Sequence, residues 1–292
     1  MKERKIKIGV PKGSLQEHSL RIFRSAGFDI QVLPKRYILK IDDPQIEGYL
    51  LRPQEIPSYV EEGKLDAGIS GEDWVKETGA KVVEVCDLKY AKQRIKKVKW
   101  VLAVSENSNI KKVGDLQGKI VATEVVQIAK DYLKRKKVNA KVVFSWGATE
   151  VKPPRFADAI IDLVETGTAL KAHNLKVLDT VFESSTKLLA NKKSWSDPFL
   201  RSKIDELAIL LRGAVESEKT VGIFMHVDDK KIKSVLGVIS QRKKPTITKI
   251  AGTDLSDIFF IEDEKEAMVL LPELKRAGCA AIVEIPLNKA VI

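Results

Sequence analysis

Apolar and polar positions alternate along this chain in short blocks of two kinds. Runs of four to six apolar residues, bounded by Gly, Pro or charged residues, predict buried strands. Stretches with apolar residues three and four apart predict helices. Lys5–Val10 reads as a strand, and Leu15, Leu20, Ile22, Phe23 and Ala26 give a helix closed by Gly27. Strand-like stretches follow at Asp29–Leu33, Tyr37–Ile41 and Ile46–Leu51. Gln54–Glu62 is a helix, with Pro53 in its first turn. Asp66–Asp73 is a strand and a glycine-containing turn that leads into a helix through Trp74, and Lys81–Cys86 is a strand. Lys89–Lys99 is basic and poorly patterned, and reads as a crossing to a second lobe. Beyond it, strands at Trp100–Ser105, Ile120–Thr123, Lys141–Phe144 and Lys176–Val181 surround a helix at Val125–Lys136. Strands alternating with helices point to parallel sheets in an α/β protein.

The stretch Asp158–Leu175, DAIIDLVETGTALKAHNL, is the most informative. Ala159, Ile160, Ile161, Leu163 and Val164 read as a buried parallel strand, broken only by Asp162. Glu165-Thr166-Gly167-Thr168 is a hydroxyl-rich turn, and Ala169–Ala172 are good helix formers. A strand, a tight turn and a helix start aim backbone N–H groups and hydroxyls at one spot that favours an anion. Asp162 and Glu165 stand just before it, and carboxylates there suit ribose hydroxyls or a metal ion. Phosphate donors beside diol acceptors indicate a sugar phosphate. An ordinary N-cap threonine gives the same local pattern.

From Ser184 the pattern changes. Ser184–Ala190 returns toward the first lobe, and Pro198–Val215 is a long amphipathic helix. After it come a strand at Val221–Val227, a helix at Asp229–Ile239, strands at Thr246–Ile250 and Ile258–Ile261, a helix at Glu264–Ala277 and a strand at Cys279–Ile285. That order, βαββαβ, is ferredoxin-like.

Composition adjusts this picture modestly. The 292 residues are 44% hydrophobic and 31% charged, with a formal net charge of +11. The positive balance fits an anionic ligand, and a lysine-rich solvated surface fits it as well. The basic residues form only short clusters without interleaved aromatics, which argues against nucleic acid. Two cysteines, Cys86 and Cys279, and three scattered histidines offer no zinc spacing, and both cysteines read as buried small hydrophobes. No apolar run is long enough to span a membrane, and MKERKIKIGV is not a signal peptide, so a cytoplasmic location is expected.

Further candidate residues sit where strands end. Lys12 lies in the Pro11-Lys12-Gly13-Ser14 loop and Arg52 between a strand and a helix, each suited to a phosphate. A surface lysine and a salt-bridged arginine are the competing readings. Gly71 permits close backbone approach, and Asp73 is either a helix cap or a magnesium ligand.

Four segments together resemble one family, the long form of ATP phosphoribosyltransferase. These are IGVPKGSL, LRPQEIPSYVEEGKLDAGISGEDW, GATEVKPPRFADAIIDLVETGTALKAHNL, and PTITKIAG with LKRAGCAAIVEIPLNK. They occur in the family's order and span nearly all of the chain. The chain departs from the family at Ala169, where Thr is usual, and at His173-Asn174, where Asn-Gly is usual. Phe156 stands where Gly is usual, and ATEVVQIAKDYL lacks the common Tyr-Pro.

The resemblance implies a two-lobed, periplasmic-binding-protein-like catalytic core with a C-terminal βαββαβ ferredoxin-like regulatory domain. Its expected limits are 1–94 plus 181–213 for the first lobe, 95–180 for the second and 216–292 for the regulatory domain. The implied reaction moves the phosphoribosyl group of 5-phosphoribosyl 1-diphosphate to N1 of ATP and releases diphosphate, with Mg2+, at the first step of histidine biosynthesis. In that frame Thr166, Gly167, Thr168 and Ala169 hold the 5-phosphate. Asp162 and Glu165 hold the ribose hydroxyls and the metal. Lys12 and Arg52 face the diphosphate, Gly71 and Asp73 the nucleotide, and Glu150 is a second-lobe contact. Histidine is the expected inhibitor, with Thr246, Ala281 and His226 as effector-site candidates, in a homo-oligomer (dimer or hexamer). The main alternative is a two-lobed binding protein that clamps a small anion without catalysis.

Overall fold

The computed structural model describes residues 4–33, 37–88, 97–164, 167–239 and 244–291. The chain divides into two compact units, residues 1–208 and 209–292. Glu165 and Thr166 lie outside the described residues, as does most of the Lys89–Lys99 crossing.

The first unit holds two sheets. The first sheet begins with β1 (Ile6–Pro11), α1 (Gln16–Ser25), β2 (Ile30–Val32), β3 (Ile38–Ile41) and β4 (Ile46–Leu51). It continues with α2 (Ile56–Glu61), β5 (Ala67–Gly71), α3 (Glu72–Thr78) and β6 (Val83–Asp87). The second contains β7 (Val98–Ser105), β8 (Ile120–Thr123), α4 (Val126–Arg135), β9 (Lys141–Phe144), β10 (Ala159–Val164), α5 (Thr168–Ala172) and β11 (Leu175–Ser184). The chain then returns to the first sheet as β12 (Thr186–Ala190), followed by α6 (Lys192–Ser196) and α7 (Pro198–Ser217). The strand orders are β2-β3-β4-β1-β5-β12-β6 and β11-β7-β10-β8-β9.

Parallel pairing holds where a helix makes the return. β1 runs parallel to β4 and β5, and β8 is parallel to β9 and β10. The sheets are nonetheless mixed, which corrects the expectation of parallel sheets. β7 is antiparallel to β10 and β11, and β12 is antiparallel to β5 and β6. Parallel neighbours require a crossover connection, whereas strands by which a chain passes directly between sheets are under no such constraint. Only Ser185 separates β11 from β12.

The buried run in β10 is shorter than its apolar pattern suggests. Ala159, Ile160 and Ile161 are fully buried, but Leu163 is 40% exposed and Asp162 half-buried. Asp162 and Leu163 leave the core and become cavity wall, while Val164 still packs against the core. Pro53 also differs from its assigned place. It stands in a turn closed by Glu55 N–H to Arg52 C=O (3.0 Å), and Pro57 occupies the first turn of α2 instead. Cys279 is buried as expected, whereas Cys86 is only half-buried, because β6 is an edge strand.

The second unit contains β13 (Thr220–Asp228), α8 (Ile232–Val238), β14 (Thr246–Lys249), β15 (Leu255–Asp263), α9 (Glu264–Ala277) and β16 (Cys279–Pro286). Its antiparallel sheet has the order β14-β15-β13-β16. Val221, Ile223, Met225 and Val227 point to one face of β13, as period-two alternation requires, and share a core with Val235 of α8 and Leu274 of α9. This is the expected βαββαβ unit.

Candidate active site

A cavity of about 290 Å³ opens where β5 runs into α3, where β10 leaves the core and where β11 gives way to β12. Both sheets of the first unit contribute to its wall: Gln54, Gly71, Asp73 and Trp74 from the first, Trp100, Glu124 and Asp162 from the second.

On the first-sheet side, no turn separates β5 from α3. Gly71 is extended (φ −74°, ψ 148°) and is itself the N-cap. A Cβ at that position would lie 2.0 Å from Asp73 Oδ1, so only glycine lets the Asp73 carboxylate fold back over the helix start. Asp73 Oδ1 accepts from Trp74 N–H (3.0 Å) and Oδ2 from Trp100 Nε1–H (2.8 Å), while Ser184 Oγ lies 3.1 Å from Asp73 N–H and accepts from it. Asp73 is only 4% exposed, and burial pushes its carboxyl upward despite those donors. It therefore lines the cavity and also fastens Trp100, more than a simple helix cap does.

Lys12 and Arg52 are neighbours. They follow the paired residues Pro11 and Leu51 at the carboxyl ends of adjacent parallel strands, and Lys12 N–H donates to Leu51 C=O (2.7 Å). Lys12 Nζ stands 4.0 Å from the centre of the Tyr37 ring. Carboxyl ends of parallel strands are where ligands of α/β proteins bind.

On the second-sheet side, three carboxylates converge. Asp162 Oδ1 accepts from Leu163 N–H (2.8 Å). Burial pushes its carboxyl up to about 6, and repulsion from Glu150 and Glu124 adds to the shift. Glu124 is raised by burial. Lys152 and Arg52 oppose that shift and Glu150 reinforces it. Arg52 thus acts electrostatically on a carboxylate carried by the other sheet. Glu150 sits in the short turn Thr149–Val151, entered through Ala148 in the left-handed region (φ 46°). Lys152 Nζ donates to Ser145 Oγ (2.5 Å), which contacts Thr149 Oγ1 (2.7 Å) and anchors this turn.

After β10, Gly167 adopts φ 76° and starts α5 with Thr168 and Ala169 as its first helical residues. The N-cap residue of α5 is Gly167, which brings no side chain of its own to cap the helix. Leu170 buries against Val101, Ile160 and Leu175 and fixes the helix on the sheet. Asn174 takes φ 52°, a conformation that Asn tolerates better than most residues, in the place where Gly is usual. The His173-Asn174 departure therefore keeps the backbone path.

Among the described residues no three His, Cys, Asp or Glu side chains are gathered closely enough to cage a metal. Any divalent cation here would share its coordination with ligand oxygens and water, as Mg2+ ordinarily does.

The effector candidates are divided. His226 pairs with Ala281 across β13 and β16, and its Nδ1 lies 2.5 Å from Asp257 Oδ1. Thr246 is on β14 at the opposite edge of the same sheet, beside Phe259.

Sequence reasoning missed Glu124, Gln54 and Trp100. Glu124 was detectable in principle, because it follows a buried strand at its carboxyl end. Gln54 and Trp100 carry no comparable signal. The side-chain Oε1 of Gln54 is buried with no hydrogen-bond partner among the described residues.

Comparison with known proteins agrees over the whole chain. The family described as HisG: ATP phosphoribosyltransferase matches residues 52–213, and HisG, C-terminal domain, matches residues 217–289. The ATP phosphoribosyltransferase of Thermodesulfovibrio yellowstonii is 48% identical over 291 residues, covering 100% of both chains. That of Solibacter usitatus is 48% identical over 287 residues, covering 98% of this chain and 99% of the relative. Among solved structures, the ATP phosphoribosyl transferase (HisG:HisZ) complex from Thermotoga maritima superposes with a TM-score of 0.62. It is 24% identical and covers 72% of this chain and 98% of that one, a likeness of fold. Two domain matches in series and relatives of the same length at nearly half identity establish that this chain belongs to the ATP phosphoribosyltransferase family of histidine biosynthesis.

Proposed function

We propose that this protein transfers the phosphoribosyl group of 5-phosphoribosyl 1-diphosphate to N1 of the adenine of ATP, releasing diphosphate, as the first step of histidine biosynthesis. The observation that carries the reading is the position of Asp162. It ends the buried part of β10, lines the cavity, and stands five residues ahead of Gly167, the N-cap of α5.

The 5-phosphate lies on Thr166, Gly167, Thr168 and Ala169. Asp162 and Glu165 accept from the ribose hydroxyls. Glu124 faces the same ring, and Glu150 contacts the substrate from the second sheet. Lys12 and Arg52 meet the diphosphate, and Gly71 and Asp73 bound the nucleotide. The reaction needs little proton transfer, because N1 already carries a lone pair. The barrier lies in aligning N1 with the anomeric carbon and in stabilising an oxocarbenium-like centre and the leaving diphosphate. Carboxylates beside the ribose favour the positive centre, and the Lys12–Arg52 pair favours the anion.

Asp162, Glu124 and Glu150 repel one another without closing into a metal cage among the described residues, so a divalent cation would draw much of its coordination from substrate oxygens and water. Asp162 and Glu165 would hold it, and when bound Mg2+ neutralises diphosphate oxygens. The second unit serves regulation, with histidine as inhibitor at Thr246, Ala281 or His226. The protein works in the cytoplasm as a homo-oligomer, a dimer or hexamer. The catalytic core divides near the limits 1–94 plus 181–213 and 95–180, followed by 216–292, with the end of β11 through Ser184 still paired to the second sheet.

Steady-state kinetics of Arg52→Ala and Thr166→Val with both substrates test the site. Each substitution should lower turnover or raise the KM for the phosphoribosyl donor. If neither parameter moves in either variant, the assignment is wrong.

A further inference from the structure

Helix α4 begins without a cap of its own. Its N-cap residue is Val125 and no local side chain accepts from its first turn, where Ser, Thr, Asp or Asn would normally do so. The missing acceptor comes from the other sheet. Glu77 of α3 accepts from Gln127 N–H through Oε1 (2.9 Å) and from Ile128 N–H through Oε2 (3.0 Å). A carboxylate at this end also meets the positive pole of the helix.

Helix α3 is attached to the first sheet but fastened to the second at two points. Asp73 and Glu77 are four residues apart and share a face. Asp73 takes the Trp100 indole N–H, and Trp74 packs edge-on against Trp100 (ring centroids 6.1 Å apart) at the border of the second sheet's core. The segment ahead of α4 has little freedom. Thr123 and Val125 are fully buried, and Val125 N–H donates to Thr123 Oγ1 (3.1 Å). Between them stands Glu124, which lines the cavity. A shift in the start of α4 therefore moves Glu124.

We infer that Glu77 is a positioning residue for phosphoribosyl transfer: by capping α4 from the opposite sheet it fixes Glu124 in the cavity. The inference rests on the function proposed above and on no contact between Glu77 and substrate.

A double-mutant cycle on the full-length protein tests it, with kcat/KM for 5-phosphoribosyl 1-diphosphate as the readout. Glu124→Gln and Glu77→Ala should each lose about tenfold, and the double variant should fall no further than Glu124→Gln alone. Glu77→Gln, which keeps an acceptor, should lose less than Glu77→Ala. A double variant showing the product of the two single losses would mean that Glu77 acts independently of Glu124, and the inference fails. It also fails if Glu77→Ala lowers only the melting temperature, or if Glu124→Gln leaves kcat/KM unchanged. Absence of turnover in the unsubstituted protein would instead remove the proposed function and this inference with it.

Discussion

Asp162 combines the opposing demands on the site in one side chain. Its ordinary value near 3.8 is raised to about 6, first by burial and then by Glu150 and Glu124. The folded state therefore holds this proton more tightly than the unfolded chain does. Stability should fall as pH rises from about 4 to about 6 and level off above, at a cost of about 3 kcal/mol for the buried charge. Asp162→Asn should raise the midpoint of urea unfolding at pH 8 while abolishing most activity. In the unsubstituted protein kcat/KM for the phosphoribosyl donor should climb with pH through about 6, as the carboxylate forms. A flat profile across that range would remove Asp162 from the substrate contacts. Asp73 obeys different rules, because its nearest donor is an indole. Trp100→Phe leaves that buried carboxylate one partner short and should cost about 1–3 kcal/mol in urea unfolding. Residue identity alone pointed to Asp162, since a single acidic residue interrupts an apolar run. It gave no warning that Glu124 stands nearby, because that proximity arises from the pairing of β8 with β10.

At the scale of elements, short apolar blocks separated by Gly and charge were enough to locate nearly every strand and helix. Pairing direction was not legible. The mixed sheets follow from the two passages between sheets, and nothing local in Val98–Ser105 or Thr186–Ala190 distinguishes a parallel from an antiparallel partner. Proline was ambiguous in the same way. Pro53 and Pro57 both satisfy the preference for a helix start, and the turn at Arg52 decides for Pro57. Helix α3 shows how much depends on one junction. Gly71→Ala is acceptable to the backbone, yet its methyl group would strike the Asp73 carboxylate. The variant should lose about 1–3 kcal/mol of stability by overpacking. It should also lose the Asp73–Trp100 bond, visible as a change in tryptophan fluorescence. Unchanged fluorescence and stability would show that Asp73 can move aside freely.

On the scale of the whole molecule, the family's catalytic match falls on the first unit and its C-terminal domain match on the second, for which sensing of histidine is the role proposed above. The two-part architecture was readable because the strand–helix rhythm changes after the long helix that begins at Pro198. The effector site was not, since Thr246 and Ala281 occupy opposite edges of one sheet. Histidine at millimolar concentration should lower the transfer rate and raise the melting temperature. If it does neither, the second unit has another role. The most direct measurement mixes the purified protein with ATP, 5-phosphoribosyl 1-diphosphate and Mg2+, and follows the ultraviolet spectrum together with released diphosphate. A new adenine-derived absorbance should grow in step with diphosphate and require all three additions. Binding of both substrates with no new absorbance and no diphosphate would contradict the proposed function.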